Sequence, residues 1–359
     1  MKQKLTDICH PKQWKTIPVC KLRDQGYPVY GANGVIGRYH EYNHETPVIA
    51  IACRGASCGA INITVPKSYV TGNAMCLDDL QPDIDLTYLY YCLTHYNFQK
   101  VISGSAQPQI TREGLNKVEV IVHSKNKQQE IVTVLGHVDK MLWARQQQLV
   151  KLDKLVKSRF MEMFGDIIAN SKNWDIQPLG ELCTIVRGGS PRPIEKFLGG
   201  NIPWIKIGDA TKGDSIYIHS TQEHIIEAGV SKSRFIKAGS LIFANCGVSL
   251  GFARITTFDG CIHDGWLAMG DISTHLNKVF LLKSLNQITE HFRKIAPAGT
   301  QPNLNTAIMK AYKQVLPPLP LQQQFAAFVE KVDKSKLAVK QSLEKLETLK
   351  KSLMQQYFG

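Results

Sequence analysis

The sequence has no uninterrupted apolar run of about 18 residues, and its first fifteen residues are polar and basic with no signal-peptide core. Membrane insertion and export are therefore not expected, and a cytoplasmic location is. Nine cysteines are scattered without a C-x-x-C pair, and the eleven histidines do not gather beside them at zinc-ligand spacing. Reduced, buried thiols follow, rather than a disulfide framework or a zinc module. Also missing are G-x-x-x-x-G-K-S/T for a nucleotide phosphate, G-x-G-x-x-G between strand and helix, H-E-x-x-H and an EF-hand loop. Neither a cofactor nor a metal is expected on this chain. The acidic pairs Asp78-Asp79 and Asp83-x-Asp85 read as solvated loop for want of a third ligand.

Acidic residues are also scarce: 30 against 43 basic ones, a net charge of +13 over 359 residues. The excess is +4 over 1–127, +2 over 128–165, +4 over 166–321 and +3 over 322–359. A folded chain that is basic throughout suits a long polyanion better than a small acidic substrate. A hydrophobic content of 43% is enough for two or three domains with real cores.

Against those absences stands a duplication. At a constant offset of 194, Gln128-Gln129 falls on Gln322-Gln323, Val138-Asp139-Lys140 on Val332-Asp333-Lys334, and Phe164-Gly165 on Phe358-Gly359. In the first copy Val138, Leu142, Arg145, Leu149, Leu152 and Val156 step by four and three alternately, the apolar seam of a coiled coil; the second keeps Val332, Val339, Leu343 and Leu346. Both copies stop at glycine. Each predicts a helix of roughly 55 Å, long enough to act as a strut. Arg145 is expected to snorkel from the seam.

The segments between the helices repeat as well. Gly104–Ile110 recurs at Ala298–Leu304 with the same offset, and IAIACRGASCG from Ile49 recurs as LIFANCGVSLG from Leu241 at an offset of 192. An Asn33-Gly34 turn between apolar stretches predicts a hairpin over 29–39. Two β runs are expected over 47–65, strands at 202–207 and 240–243, and helical spacing at 86–99 and 276–294. The fold class expected is α+β with a pseudo-two-fold internal repeat: a β-rich domain over 1–125, a long helix over 126–165, a second β-rich domain over 166–320 and a second long helix over 321–359. The two helices are expected to pair as an antiparallel coiled coil. Pro317, Pro318 and Pro320 read as a stiff lead-in to the second helix.

Two stretches mimic a serine-hydrolase elbow, Gly55-Ala56-Ser57-Cys58-Gly59 and Gly247-Val248-Ser249-Leu250-Gly251. That elbow needs a helix after the serine, whereas β pattern follows both here, so a glycine turn between strands is the better reading. Cys53 and Cys58 lack a histidine partner at any telling spacing.

These features together resemble the specificity subunit of type I restriction-modification systems. The resemblance runs over essentially the whole chain. It rests on Gly104–Thr111 with Gln128-Gln129-Glu130, and on Gly299–Asn305 with Pro317-Pro318-Leu319-Pro320-Leu321-Gln322-Gln323. Val186-Arg187-Gly188-Gly189-Ser190-Pro191 leading to Ile202-Pro203-Trp204-Ile205, and Tyr30–Gly34, also carry it. The sequence departs from the pattern at His123-Ser124-Lys125, where the second copy has Pro317-Pro318-Leu319, which leaves the start of the first helix open. The resemblance implies two target recognition domains on double-stranded DNA, with the helices as spacer and dock for two methyltransferase subunits. Translocase-nuclease subunits can join these. S-adenosylmethionine and ATP with magnesium are implied on the partners, and no catalysis on this chain.

A duplicated unit of this kind suits two half-sites on one duplex, about 45 Å apart if some thirty residues of helix separate the readers. Because the copies differ, the site would be asymmetric. Arg, Asn and Gln carry the paired donors and acceptors that distinguish base edges, and Lys anchors phosphates. The candidates in the first domain are Arg23, Asn33, Arg38 and Arg54, with Tyr30 nearby. In the second they are Arg187, Arg192, Lys206, Lys212, Asn245 and Arg254. Gln107 and Gln301 occupy equivalent positions, which points equally to a shared structural role. The rival reading is a coiled-coil adaptor whose β-rich domains bind protein.

Overall fold

The computed structural model describes residues 1–104, 107–211, 216–247, 249–297 and 303–359. Contacts divide the chain into two units, Met1–Gln148 with Val339–Gly359, and Leu149–Ala338. The division falls inside both long helices, so each unit owns a globular domain and one segment of each helix.

In the first unit an antiparallel sheet runs in the order His10–Gln13, Ala74–Asp78, Ile49–Ala52, Ile61–Ile63. Alternation sorts its side chains by face. Ile49, Ile51, Met75 and Leu77 join a core with Tyr88, Leu89 and Leu93 of the helix Leu86–His95. Ala50, Ala74 and Cys76 face a smaller core holding Tyr30, Val48 and Val70. A strand covered on both faces reads as an unbroken apolar run, which is why IAIA shows no polar alternation. The hairpin predicted at Asn33-Gly34 is present: Tyr27–Gly31 pairs with Gly34–Tyr39, and Tyr69–Val70 adds a parallel third strand.

The second unit repeats this plan at an offset of 192. Leu241 and Phe243 face the helix Lys278–Gln287, while Ile242 and Ala244 face a core with Ile205, Ile262 and Trp266. Its sheet is ordered Thr184–Arg187, Trp266–Gly270, Leu241–Ala244, Ala253–Thr256, Tyr217–Ile218. A second sheet pairs Leu198–Ile205 with Glu223–Ile225 and, in parallel, with Gly260–Ile262, which in turn pairs with Arg234–Ile236.

The long helices span Lys125–Phe164 and Leu319–Phe358. Of the seam residues Val138, Val156, Val332 and Val339 are buried, and Leu142, Leu149, Leu152, Leu343 and Leu346 half-buried. Arg145 is exposed and donates to Gln148 Oε1 at 2.9 Å. Within the first unit Lys350 donates to Asp139 at 2.6 Å, and Ile131 and Leu135 share a core with Met354 and Phe358, so the two helix segments run antiparallel. They do so in the second unit too: Lys336 donates to Asp153 at 2.5 Å, and Phe160 and Phe164 pack on Phe325 at 5.4 and 5.3 Å between ring centroids. Gly165 ends the first helix at φ +72°, where a Cβ would meet Ser171 Oγ at 2.4 Å.

Three expectations are corrected. The second helix already includes Leu319 and Pro320, because a first-turn residue needs no helical N–H partner and proline fits there. Asp78 is not solvated loop: it ends a central strand, 13% exposed, bonded to His44 and Trp14. Asp85 is not loop either, since it caps the helix Leu86–His95 by accepting from Tyr88 N at 2.9 Å.

The open question at His123 has a clear answer. Gln128 accepts from Asp85 N at 2.8 Å and donates to Asp83 O at 3.1 Å and His123 O at 2.9 Å. Gln322 accepts from Asn277 N at 2.8 Å and donates to His275 O at 3.0 Å and Pro317 O at 2.7 Å. The partners correspond one to one, so both helices start in the same way despite different sequences.

Candidate nucleic-acid interface

In each unit the glycine turn pairs with the residues that follow the Gln-Pro dipeptide in sequence. Arg54 forms a backbone bridge with Gln109, and Cys246 forms one with Asn303. Ile110 N donates to Cys53 O at 3.0 Å, and Leu304 N to Asn245 O at 2.8 Å. The two recurring stretches recur because they pair with each other. Gly55, Gly59, Gly247 and Gly251 all have positive φ, as a turn between strands demands. Ser57 and Ser249 are followed by the strands Ile61–Ile63 and Ala253–Thr256 instead of a helix, so neither stretch forms a nucleophile elbow.

On the first unit Arg23, Asn33, Arg38, Arg54 and Gln107 are exposed. The structure brings Arg23 and Arg38 together through paired backbone bonds of 2.8 and 3.2 Å, and Arg38 also donates to Gly26 O at 2.9 Å. Arg54 and Gln107 lie on adjoining segments, since Gly55 N donates to Pro108 O at 3.2 Å. Tyr30 is buried, its hydroxyl accepting from Val65 N, which makes it a core residue.

The second unit gathers Arg192 and Lys206 around a cavity of ≈ 630 Å³ that Trp204, Glu223 and His263 also line. Strand pairing sets Trp204 opposite Glu223, and Lys206, two residues on, donates to Glu223 Oε1 at 2.5 Å and lies 5.0 Å over the Trp204 ring. Asp264 organises the rim. It accepts from Ser190 Oγ at 3.0 Å, its backbone carbonyl accepts from Arg187 Nε at 3.1 Å, and Arg192 reaches to 3.9 Å. Burial, reinforced by the nearby cations, pushes the His263 pKa down. The ring is therefore neutral, with Nδ1 accepting from Gly265 N at 3.0 Å. The 2.9 Å approach of Asp264 to the same nitrogen becomes an ion pair only on protonation.

The remaining candidates lie elsewhere. Asn245 is fully buried and its amide donates to Asn303 and Leu304, so its place is structural. Arg254 stacks on Phe252 at 4.8 Å beside a separate cavity of ≈ 340 Å³ lined also by Lys157, Lys283 and Lys336. Lys212 and Gln301 fall outside the described residues. Sequence reasoning missed Trp204, Glu223, His263 and Asp264; they meet only through nonlocal strand pairing, which no local spacing signals.

No helix among the described residues is long and apolar enough to cross a membrane. The family model of the type I restriction modification DNA specificity domain matches residues 1–152 and again 171–349. The Methanocaldococcus jannaschii type I restriction enzyme MjaIX specificity subunit is 26% identical over 270 residues, which cover 68% of this chain and 61% of that subunit's own length. The crystal structure of the type I restriction-modification system S subunit from M. genitalium has a similar fold, with a TM-score of 0.62 at 18% identity over 100% of this chain and 96% of that one. A chain from a structural study of complex assembly and conformational transition in the type I system also scores 0.62, at 14% identity, covering 100% and 97%. The duplicated domain with its glycine turn, the two braced helices and this match over most of the chain lead to one conclusion: the chain belongs to the type I restriction modification DNA specificity family and carries its domain twice.

Proposed function

We propose that each unit reads one half of an asymmetric, bipartite site on double-stranded DNA, and that the long helices dock two methyltransferase subunits, to which translocase-nuclease subunits can be added. On this reading the chain is not itself an enzyme. S-adenosylmethionine, ATP and magnesium belong to the partners, and the complex works in the cytoplasm, where the nine free thiols stay reduced. The observation that carries the proposal is the presence of two non-identical copies of a DNA specificity domain, each exposing a different set of arginines. Arg23, Arg38 and Arg54 are exposed on one unit, and Arg187 and Arg192 on the other.

Mapping methylated adenines genome-wide, with and without this gene and with the methyltransferase gene intact, tests it. One gapped, asymmetric motif should vanish with the gene. Unchanged methylation in cells that express both chains would favour the adaptor reading. Binding by the assembled complex should fall steeply with salt, and Arg192→Ala should shrink the slope of log K against log salt by about 1 if it contacts a phosphate. An apolar protein interface would show little salt dependence.

A further inference from the structure

Three potential metal ligands that the DNA reading does not use meet on the first unit's sheet. Cys76 and Asp78 are two residues apart on the strand Ala74–Asp78 and share a face. His44 arrives from the segment before Ile49–Ala52, anchored by reciprocal backbone bonds of 3.1 Å with Ser68. A ring nitrogen of His44, Cys76 Sγ and a carboxylate oxygen of Asp78 all lie within 4.8 Å of one another. Cys76 is fully buried, and the side chains of His44 and Asp78 are 10% and 13% exposed. The spacing 44, 76, 78 matches no zinc signature, so no local pattern signals the cluster.

The hydrogen bonds around His44 settle which nitrogen is available. Val70 N donates to Asn43 Oδ1 at 2.9 Å and Asn43 Nδ2 donates to Val70 O at 3.0 Å, which fixes the orientation of that amide. Its Oδ1 lies 2.7 Å from His44 Nδ1, so Nδ1 carries a hydrogen. In the neutral ring Nε2 then presents a lone pair, and it faces Asp78 Oδ1 at 3.0 Å. Asp78 Oδ2 is already occupied as acceptor for Trp14 Nε1 at 3.1 Å. Two lone pairs that face each other with little access to water favour positive charge between them, either a proton or a metal ion. The thiol beside them is a third donor, which a proton would not need.

We propose that His44 Nε2, Cys76 Sγ and Asp78 Oδ1 bind a divalent transition metal of the zinc class, with the fourth position open to water. A mixed nitrogen, sulfur and oxygen set suits zinc or cobalt and is foreign to magnesium and calcium, which take oxygen. Asn43 is the outer partner that fixes the imidazole tautomer. On binding, the Cys76 thiol, and Nε2 of His44 where the metal-free ring is protonated, give their protons to solvent as the bonds to the metal form, and the metal keeps its oxidation state. The bound ion would tie the segment around His44 to the sheet.

The test is cobalt substitution in the full chain. After removal of metal and titration, about one equivalent of Co²⁺ should bind, with a thiolate-to-cobalt charge-transfer band and release of protons. Cys76→Ser should abolish the band, while Cys20→Ser, which alters an exposed thiol, should leave it intact. Zinc should raise the thermal midpoint of the unmodified chain but not that of Cys76→Ser. Should Cys76→Ser fail to fold, the unmodified chain still decides: failure to take up cobalt or zinc overturns the site and leaves a plain imidazolium–carboxylate pair. Survival of the band in a folded Cys76→Ser chain overturns it equally.

Discussion

Replacing Gln322 by Ala should lower the stability of the second unit by about 3 kcal/mol. The side chain is fully buried and makes hydrogen bonds of 2.8, 3.0 and 2.7 Å to Asn277 N, His275 O and Pro317 O. Each such bond contributes on the order of 1 kcal/mol net, and a partner left unsatisfied costs about 1–3 kcal/mol, so three lost bonds with partial access of water give that sum. For a unit of this size, a loss of about 1 kcal/mol moves the midpoint by about 2–4 °C, which predicts a drop of about 6–12 °C. The assay is urea unfolding followed by tryptophan fluorescence, for which Trp174, Trp204 and Trp266 report on this unit. Gln322→Glu provides the control. It keeps the acceptor for Asn277 N but turns a second oxygen toward two carbonyls, so at neutral pH it should be at least as destabilising as Ala. An Ala variant within about 0.5 kcal/mol of the parent, the range of an ordinary surface change, would refute the reasoning. So would a Glu variant as stable as the parent.

Two further outcomes follow from packing and protonation. Phe160→Ala should cost the second unit about 3–5 kcal/mol, because the ring is 1% exposed among Phe164, Phe280 and Phe325; a loss below about 1 kcal/mol in the same urea assay would mean the cluster is not a core. Burial lowers the pKa of His263 and of His123 below 6.5, so the unfolded chain binds more protons there than the folded one. Their stabilising contribution is complete above that value and is lost as pH falls from it toward the folded pKa. Unfolding free energy measured downward from neutrality should therefore decline, less so in His263→Gln; a rise would contradict the assignment of neutral rings.

What the sequence revealed depended on whether the signal was local. The seam from Val138 to Val156, the Asn33-Gly34 hairpin and the recurring IAIACRGASCG and LIFANCGVSLG stretches are periodic or repeated, and each appears in the structure as a stripe whose apolar members are buried or half-buried, a turn or a paired strand. The candidate surface was less legible. A type of residue suited to bases does not reveal burial: Asn245 and Tyr30 carry the right chemistry but lie in the interior. The grouping of Arg192 and Lys206 with Trp204 and His263 depends on Leu198–Ile205 pairing with Glu223–Ile225 and Gly260–Ile262, at separations where hydrophobic period carries no information. Asp78 misled for the converse reason. An acidic pair reads as polar, yet its first member is the last residue of a central strand.

The glutamine brace at the start of each long helix has a consequence for how such a chain can change. All six groups that Gln128 and Gln322 contact are main-chain atoms: Asp85 N, Asp83 O and His123 O in one case, Asn277 N, His275 O and Pro317 O in the other. A joint that grips only backbone is indifferent to side chains, and it already accommodates His123 on one side and Pro317 on the other. The fitting is thus generic while the fitted part is free to vary, so a domain of foreign sequence that preserves this loop geometry could be mounted on the same helix without redesigning the joint.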